Sequence, residues 1–207
     1  MGPRQDHRGR PRAAAGPRVQ PLSPSPADSR PRVVEVAPER IGGWLERFAA
    51  NNAERESPQR VTAREEFPHD PVGVLLIRRG GYAVGLADGP AFTESKVGKR
   101  HVQSRTAAGG WSQQRFARRR GNQADELVRA VTEHTLRILP RGIPRGLVVG
   151  GDKALVRAVL DDPRLAHLDA LPRRELYDLP DPRRDVLEDA LRRGRAVRVT
   201  IEDGPVA

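Results

Sequence analysis

The chain contains no cysteine. That absence excludes disulfide scaffolds, thiolate zinc sites, iron–sulfur clusters and cysteine nucleophiles together. Lysine is nearly missing as well: Lys96, Lys99 and Lys153 are the only three, so 34 of the 37 basic residues are arginine. No apolar run approaches the roughly 18 residues of a membrane span, and the N-terminus shows no hydrophobic signal segment. The expectation is a cytoplasmic protein with no membrane partner. Acidic residues are absent between Glu94 and Asp125. An arginine-rich codon bias explains the choice of arginine over lysine, but not this gap in carboxylates.

What is present becomes informative once it is located. The formal net charge of +10 divides into +5 over residues 1–32, −3 over 33–94, +8 over 95–120 and zero over 121–207. A neutral domain with one internal positive stretch has the electrostatic footprint of a polyanion binder, most simply of nucleic acid. Residues 1–32 carry seven of the 19 prolines and almost no large apolar side chains. Such a segment cannot bury enough surface to offset its ordering entropy and is expected to be a disordered basic tail.

From residue 33 the hydrophobic pattern predicts a folded domain to residue 207, with 33–71 as an accessory N-terminal layer. Val33–Val36 reads as a strand, and Pro38 opens a helix with Ile41, Trp44, Leu45 and Phe48 on one face. The polar stretch Asn51–Pro71 carries a short strand near Arg60–Arg64. A hairpin follows, with Val72–Arg78 and Tyr82–Ala87 around Gly80-Gly81. Strand-like Ala91–Ser95 leads into a flexible basic loop.

A long helix is expected from about Ser112 to Leu139, with Phe116, Leu127, Val131, His134 and Ile138 at helical spacing and Pro140 as its stop. Leu147–Val149 reads as a buried strand, Lys153–Leu160 and Asp181–Gly194 as helices, and Arg195–Ile201 as the last strand. Strands alternating with helices after an antiparallel hairpin predict a single α/β domain built on a mixed sheet.

Few residues have hydrolytic potential. Gly110-Trp111-Ser112 starts like a nucleophile elbow, but Gln114 replaces the second glycine and no strand precedes it. The five histidines show no metal-ligand spacing, so no metal and no cofactor are expected. His134 reads as a packed residue of the long helix. Gly150-Gly151-Asp152 reads either as a tight turn or as a phosphate cradle at a helix N-terminus.

The segment Lys96–Asn122, KVGKRHVQSRTAAGGWSQQRFARRRGN, combines a Gly109-Gly110 hinge, two neutral amides at Gln113 and Gln114, and a set of flanking cations. Glycines let backbone pass close to a ligand. The cations Lys99, Arg100, Arg105, Arg115, Arg118, Arg119 and Arg120 suit phosphates, and Trp111 can stack on a base or pack.

Gly109-Gly110 followed by glutamine, then Arg115-Phe116-Ala117-Arg118, with Lys99-Arg100-His101 upstream, resembles the catalytic domain of the eukaryotic class-one peptide-chain release factor. The chain is more similar still to the actinobacterial release-factor-like peptidyl-tRNA hydrolases of the ribosome-rescue type. These resemble in turn the eukaryotic mitochondrial-stress and ribosome-quality-control hydrolases, whose loop is Gly-x-x-Gln. The resemblance runs from about Val72 to the end of the chain and implies an RNase-H-like sheet. It implies codon-independent hydrolysis of the ester between a nascent peptide and tRNA, with the large ribosomal subunit and peptidyl-tRNA as partners.

Two alignments of the loop remain. Aligned without a gap on Arg-Phe-Ala-Arg, Trp111 takes the place of the release factor's glutamine. In the rescue-type pattern Gly110-Trp111-Ser112-Gln113 supplies Gly-x-x-Gln, which favours Gln113, with Gln114 as second choice. The first alignment sustains another reading, a non-catalytic ribosome- or RNA-binding module. A metal-dependent nuclease is a third, and it lacks clustered carboxylates in the basic segment.

Overall fold

The computed structural model describes residues 31–53, 55, 57–99 and 112–204, with backbone only for 112–122. The N-terminal stretch expected to be a tail therefore lies outside the described residues, except for Pro31 and Arg32, and Arg32 already pairs with Ile201.

The centre of the fold is β3 (Val72–Arg78), whose residues from Val72 to Ile77 are all buried. Such a continuous apolar run needs cover on both faces of a sheet. A two-residue turn joins β3 to β4 (Gly81–Asp88), which pairs antiparallel with β5 (Ala91–Lys99). On its other side β3 pairs parallel with β6 (Gly146–Gly151), and β6 with β7 (Arg173–Leu176). The resulting five-stranded mixed sheet has the order β5-β4-β3-β6-β7.

The two faces of this sheet alternate along each strand. Leu75, Ile77 and Val84 point to a core shared with α2 (Ser112–Ile138) and α3 (Lys153–Leu160). Val72, Val74, Leu76 and Ala83 point to the opposite core, which α5 (Arg184–Arg195) closes with Val186, Leu187, Ala190 and Leu191. A 3-10 turn at Pro163–Leu165 and the short α4 (Ala166–Asp169) add Leu165 and Leu168 to the first core.

A second sheet stands beside the first. The last strand, β8 (Val197–Asp203), lies between β1 (Arg32–Val36) and β2 (Gln59–Glu65), antiparallel to both. Its inward Val197, Val199 and Ile201 meet Val36 and, from α1 (Ile41–Ala53), Ile41, Trp44 and Phe48. Arg193 ties the layers together, reaching Glu35 at 3.1 Å and Asp178 at 2.9 Å. Arg174 is only 6% exposed, over the Phe67 ring and donating weakly to the Ala196 carbonyl at 3.4 Å. Burial holds its pKa below the ordinary arginine value, though the group remains a cation at any physiological pH.

Three details depart from the sequence reading. Residues Lys96–Lys99, expected in a flexible loop, continue β5, because Val97 keeps the alternation and Gly98 admits the Tyr82 ring against its backbone. The helix expected from Asp181 begins at Arg184, since Arg183 holds an extended conformation after Pro182. Strand β7 carries no apolar signature; its RREL sequence buries Leu176 and the stem of Arg174.

Candidate functional site

The segment singled out in the sequence runs between two well-anchored elements. Upstream, β5 ends at Lys99, opposite Gly81. The strands come unusually close here: a Cβ on Gly81 would lie 2.6 Å from the Gly98 carbonyl oxygen, so only glycine fits. Downstream, α2 is held over the sheet by Leu127, Val131 and Ile138.

The direction of α2 decides where its first turn lies. His134 stacks on Tyr82, ring centroids 5.3 Å apart, and Tyr82 pairs with Gly98 at the end of β5. Arg137 meets Glu94, 2.8 Å away and earlier in β5. The helix therefore runs antiparallel to β5, and its N-terminal turns lead past the strand's last residue. At ~1.5 Å per residue, the stretch from His134 back to Ser112 measures roughly 33 Å along the helix axis. The first fully buried residue described on α2 is Leu127, and Ala124 packs against the same core one turn earlier.

Gln113 and Gln114 occupy the first turn of this helix, where no acidic residue is present. The first four backbone N–H groups of a helix have no partner within it, and this end carries partial positive charge. Arg115, Arg118, Arg119 and Arg120 follow in the next turns; for all of these residues the structure describes backbone alone. Arg100, Arg105, Gly109, Gly110 and Trp111 lie outside the described residues. Among the candidate residues, then, the structure places Lys99 fully and the helical ones by backbone.

It also adds cations that sequence reasoning passed over. Arg78 pairs in register with Gly81, and Gly81 with Lys99, so the three sit side by side across the same sheet edge. Arg79 is exposed in the adjoining turn. Asp181 is Arg78's only carboxylate partner among the described residues, at 4.0 Å, and the Arg78 Nε is buried without an acceptor. Lys153 lies 4.6 Å from the centre of the Tyr177 ring. The sequence places Arg78 at the end of the first hairpin strand; its nearness to Lys99 arises across strands, where no sequence spacing reports it.

Of the two readings of Gly150-Gly151-Asp152, the geometry supports the turn. Asp152 caps α3 itself, its carboxylate accepting from the backbone N–H of Ala154 at 2.9 Å and of Leu155 at 3.3 Å. Those donors would have formed the cradle, and they are occupied by an anion of the chain's own.

His134 is half-buried, and its pKa lies below the usual value, first through burial and then through Lys96 and Arg137 nearby. A histidine held neutral in the fold takes up its proton more readily when unfolded. Its contribution to stability is therefore complete above the unfolded pKa of about 6.5 and declines as pH falls from there through the lower folded value. Replacing His134 by phenylalanine, which retains the stack on Tyr82, is expected to flatten the fall in thermal stability between pH 7 and pH 5. An unchanged pH profile would show that the histidine contributes nothing to it.

No described helix is long and apolar enough to cross a membrane, and no group of three or more potential metal-ligating side chains occurs among the described residues. Residues 70–200 match the family model described as Actinobacteria/chloroflexi VLRF1 release factor. The match spans the five-stranded sheet, helices α2 to α5 and the basic segment between β5 and α2. No curated protein matches the chain.

Proposed function

The chain belongs to the Actinobacteria/chloroflexi VLRF1 release factor family and is thus a release-factor-like protein of ribosome rescue; from that premise we propose that it is a codon-independent peptidyl-tRNA hydrolase. Its substrate is the ester joining a nascent peptide to the terminal ribose of tRNA, held on the large ribosomal subunit. Gly109 and Gly110 let the loop enter the peptidyl-transferase cavity. Gln113, with Gln114 as the second candidate, positions the attacking water.

The observation that carries this reading is the position of two neutral amides on the first turn of a helix whose N-terminal end leads past the last residue of β5. Ester hydrolysis needs an oriented water and donors for the developing oxyanion. A glutamine is no base near neutral pH, but its amide both donates and accepts, and the free N–H groups of a first turn add further donors. Proton acceptance then falls to groups of the substrate and ribosomal RNA, and the chain completes an active site built mostly of RNA.

The basic residues supply binding rather than chemistry. Lys99, Arg100, Arg105, Arg115, Arg118, Arg119 and Arg120 would meet phosphates of tRNA or ribosomal RNA, joined by Arg78 and Arg79 at the same sheet edge. Trp111 would stack on a base. Replacing Arg118 or Arg119 by glutamine is expected to weaken ribosome binding and to reduce the slope of log affinity against log salt by about 0.7–0.9 each. Titration of ribosome binding across salt concentrations checks this, and an unaltered slope would remove those arginines from the interface.

The test of the function is peptide release from isolated large subunits carrying peptidyl-tRNA, which hold no codon. Release by the unaltered protein and its loss in glutamine variants support the proposal. One feature favours a second reading, a non-catalytic RNA-binding module: Trp111 stands where an ungapped alignment expects the glutamine. Binding to those subunits with no release would establish that reading instead.

A further inference from the structure

Strands β1 and β2 and helix α1 precede the span matched by the family, and the proposed ester chemistry uses none of them. Yet α1 has a composed surface. Trp44 and Phe48, one turn apart, lie nearly parallel, with ring centroids 5.2 Å apart and planes at 15°. Both pack on the small core of Val36, Val197, Val199 and Ile201, and both also line an open depression of about 270 Å³. The remaining walls include Arg32, Arg47, Arg55 and Gln59.

Two of the arginines in this depression are held by a neutral amide in place of a carboxylate. Arg32 and Arg55 both donate to a single neutral acceptor, the Gln59 Oε1, at 3.2 and 3.1 Å. The Gln59 Nε2 donates in turn to Asp203 at 2.8 Å. Arg47 has no carboxylate partner among the described residues. Three exposed guanidinium groups thus line the depression, two of them held in place by one neutral amide. Asn52 steadies the frame by accepting from the Gln59 backbone N–H at 2.8 Å, which fastens the start of β2 to the last turn of α1.

We propose that this depression is a second RNA-binding site, which takes a single-stranded segment with an unpaired base against Trp44 and Phe48 and phosphates on Arg32, Arg47 and Arg55. Flat aromatic faces beside fixed guanidinium groups suit unstacked bases and the adjoining backbone. An apolar peptide gains nothing from three cations. An acidic peptide gains from the cations and has no use for a parallel pair of rings. The inference stands apart from the hydrolase reading, since none of these residues takes part in release.

The test uses the full chain and a single-stranded oligouridine carrying 5-iodouridine, which photocrosslinks to aromatic side chains. Adducts on Trp44 or Phe48 are expected; adducts confined to residues 96–120 would overturn the proposal. In a second arm, Arg32, Arg47 and Arg55 are changed together to glutamine and binding of a labelled oligouridine is followed from 50 to 200 mM salt. At about 0.7 per single-strand phosphate contact, the salt slope should fall by about 2, so that the loss of affinity over this range shrinks roughly 20-fold.

An unchanged slope counts against the site, as does polyglutamate binding without any adduct on the two rings. Peptide release measured on the same preparations separates the two proposals. Release without an adduct at either ring defeats this inference alone, and an adduct without release defeats the hydrolase reading alone.

Discussion

Gln113→Ala is expected to slow peptide release from large-subunit complexes by about 10²–10³-fold, the usual cost of removing one donor aimed at a developing oxyanion. Affinity for the subunit should be unchanged, because the side chain is neutral and the proposal assigns the phosphate contacts to the arginines. The same rate loss is expected for Gln113→Glu, which keeps an acceptor for water but no longer donates. Gln113→Asn should also be slow: it retains both functions one methylene short, and a misplacement of about 1 Å can cost 10²-fold.

Gln114→Ala is the matched control. The two residues are adjacent on the first turn of α2, so helix propensity and local charge change almost equally. Loss confined to Gln114→Ala would transfer the role to that amide. Full activity in both single variants and in the double variant would sink the catalytic assignment, whatever the affinity.

The second large effect concerns the edge from which the basic segment departs. Gly151→Ala is expected to destabilise the fold by about 2–5 kcal/mol, from left-handed backbone strain and overpacking together. Gly151 has φ +99°, and a Cβ there would run into the Ile77 carbonyl oxygen. That carbonyl accepts from the Asp152 N–H at 2.8 Å, the hook that fastens the β6–α3 turn to the end of β3.

Gly142 provides the comparison. Its φ is +83°, but nothing lies within 4 Å of the point where a methyl group would stand, so Gly142→Ala should cost only the strain of about 1–2 kcal/mol. In thermal unfolding this corresponds to a fall of roughly 2–8 °C for Gly142→Ala and 4–20 °C for Gly151→Ala. Equal shifts would show that the close approach at Ile77 relaxes freely. Peptide release by Gly151→Ala at a temperature where it remains folded would report how far Arg78, Gly81 and Lys99 depend on that hook.

Much of the fold can be read in the sequence because its central elements declare themselves locally. Val72–Ile77 is an unbroken apolar run beside Gly80-Gly81, and β3 and β4 form there. Leu127, Val131 and Ile138 repeat at helical spacing before Pro140, and α2 ends at Ile138. Strand β7 escapes because four residues with two arginines show no period; it exists because β6 offers a parallel edge and Phe67 covers the Arg174 stem. The extension of β5 to Lys99 escapes for a related reason, since basic residues at a sheet edge look like loop until the strand beside them is known.

By itself the sequence determined which groups are available: the absence of cysteine and of any acid from Ser95 to Ala124, the Gly109-Gly110 pair, the two amides and the run of arginines are properties of order and composition. Tertiary structure alone decided the placement. Stacking of His134 on Tyr82 sets the direction of α2 and so carries Gln113 and Gln114 away from the sheet. Pairing across β3, β4 and β5 brings Arg78 beside Lys99, and the closing of β8 between β1 and β2 gives Trp44 and Phe48 a core to rest on. Those contacts join residues far apart in the chain, and local pattern carries no record of them.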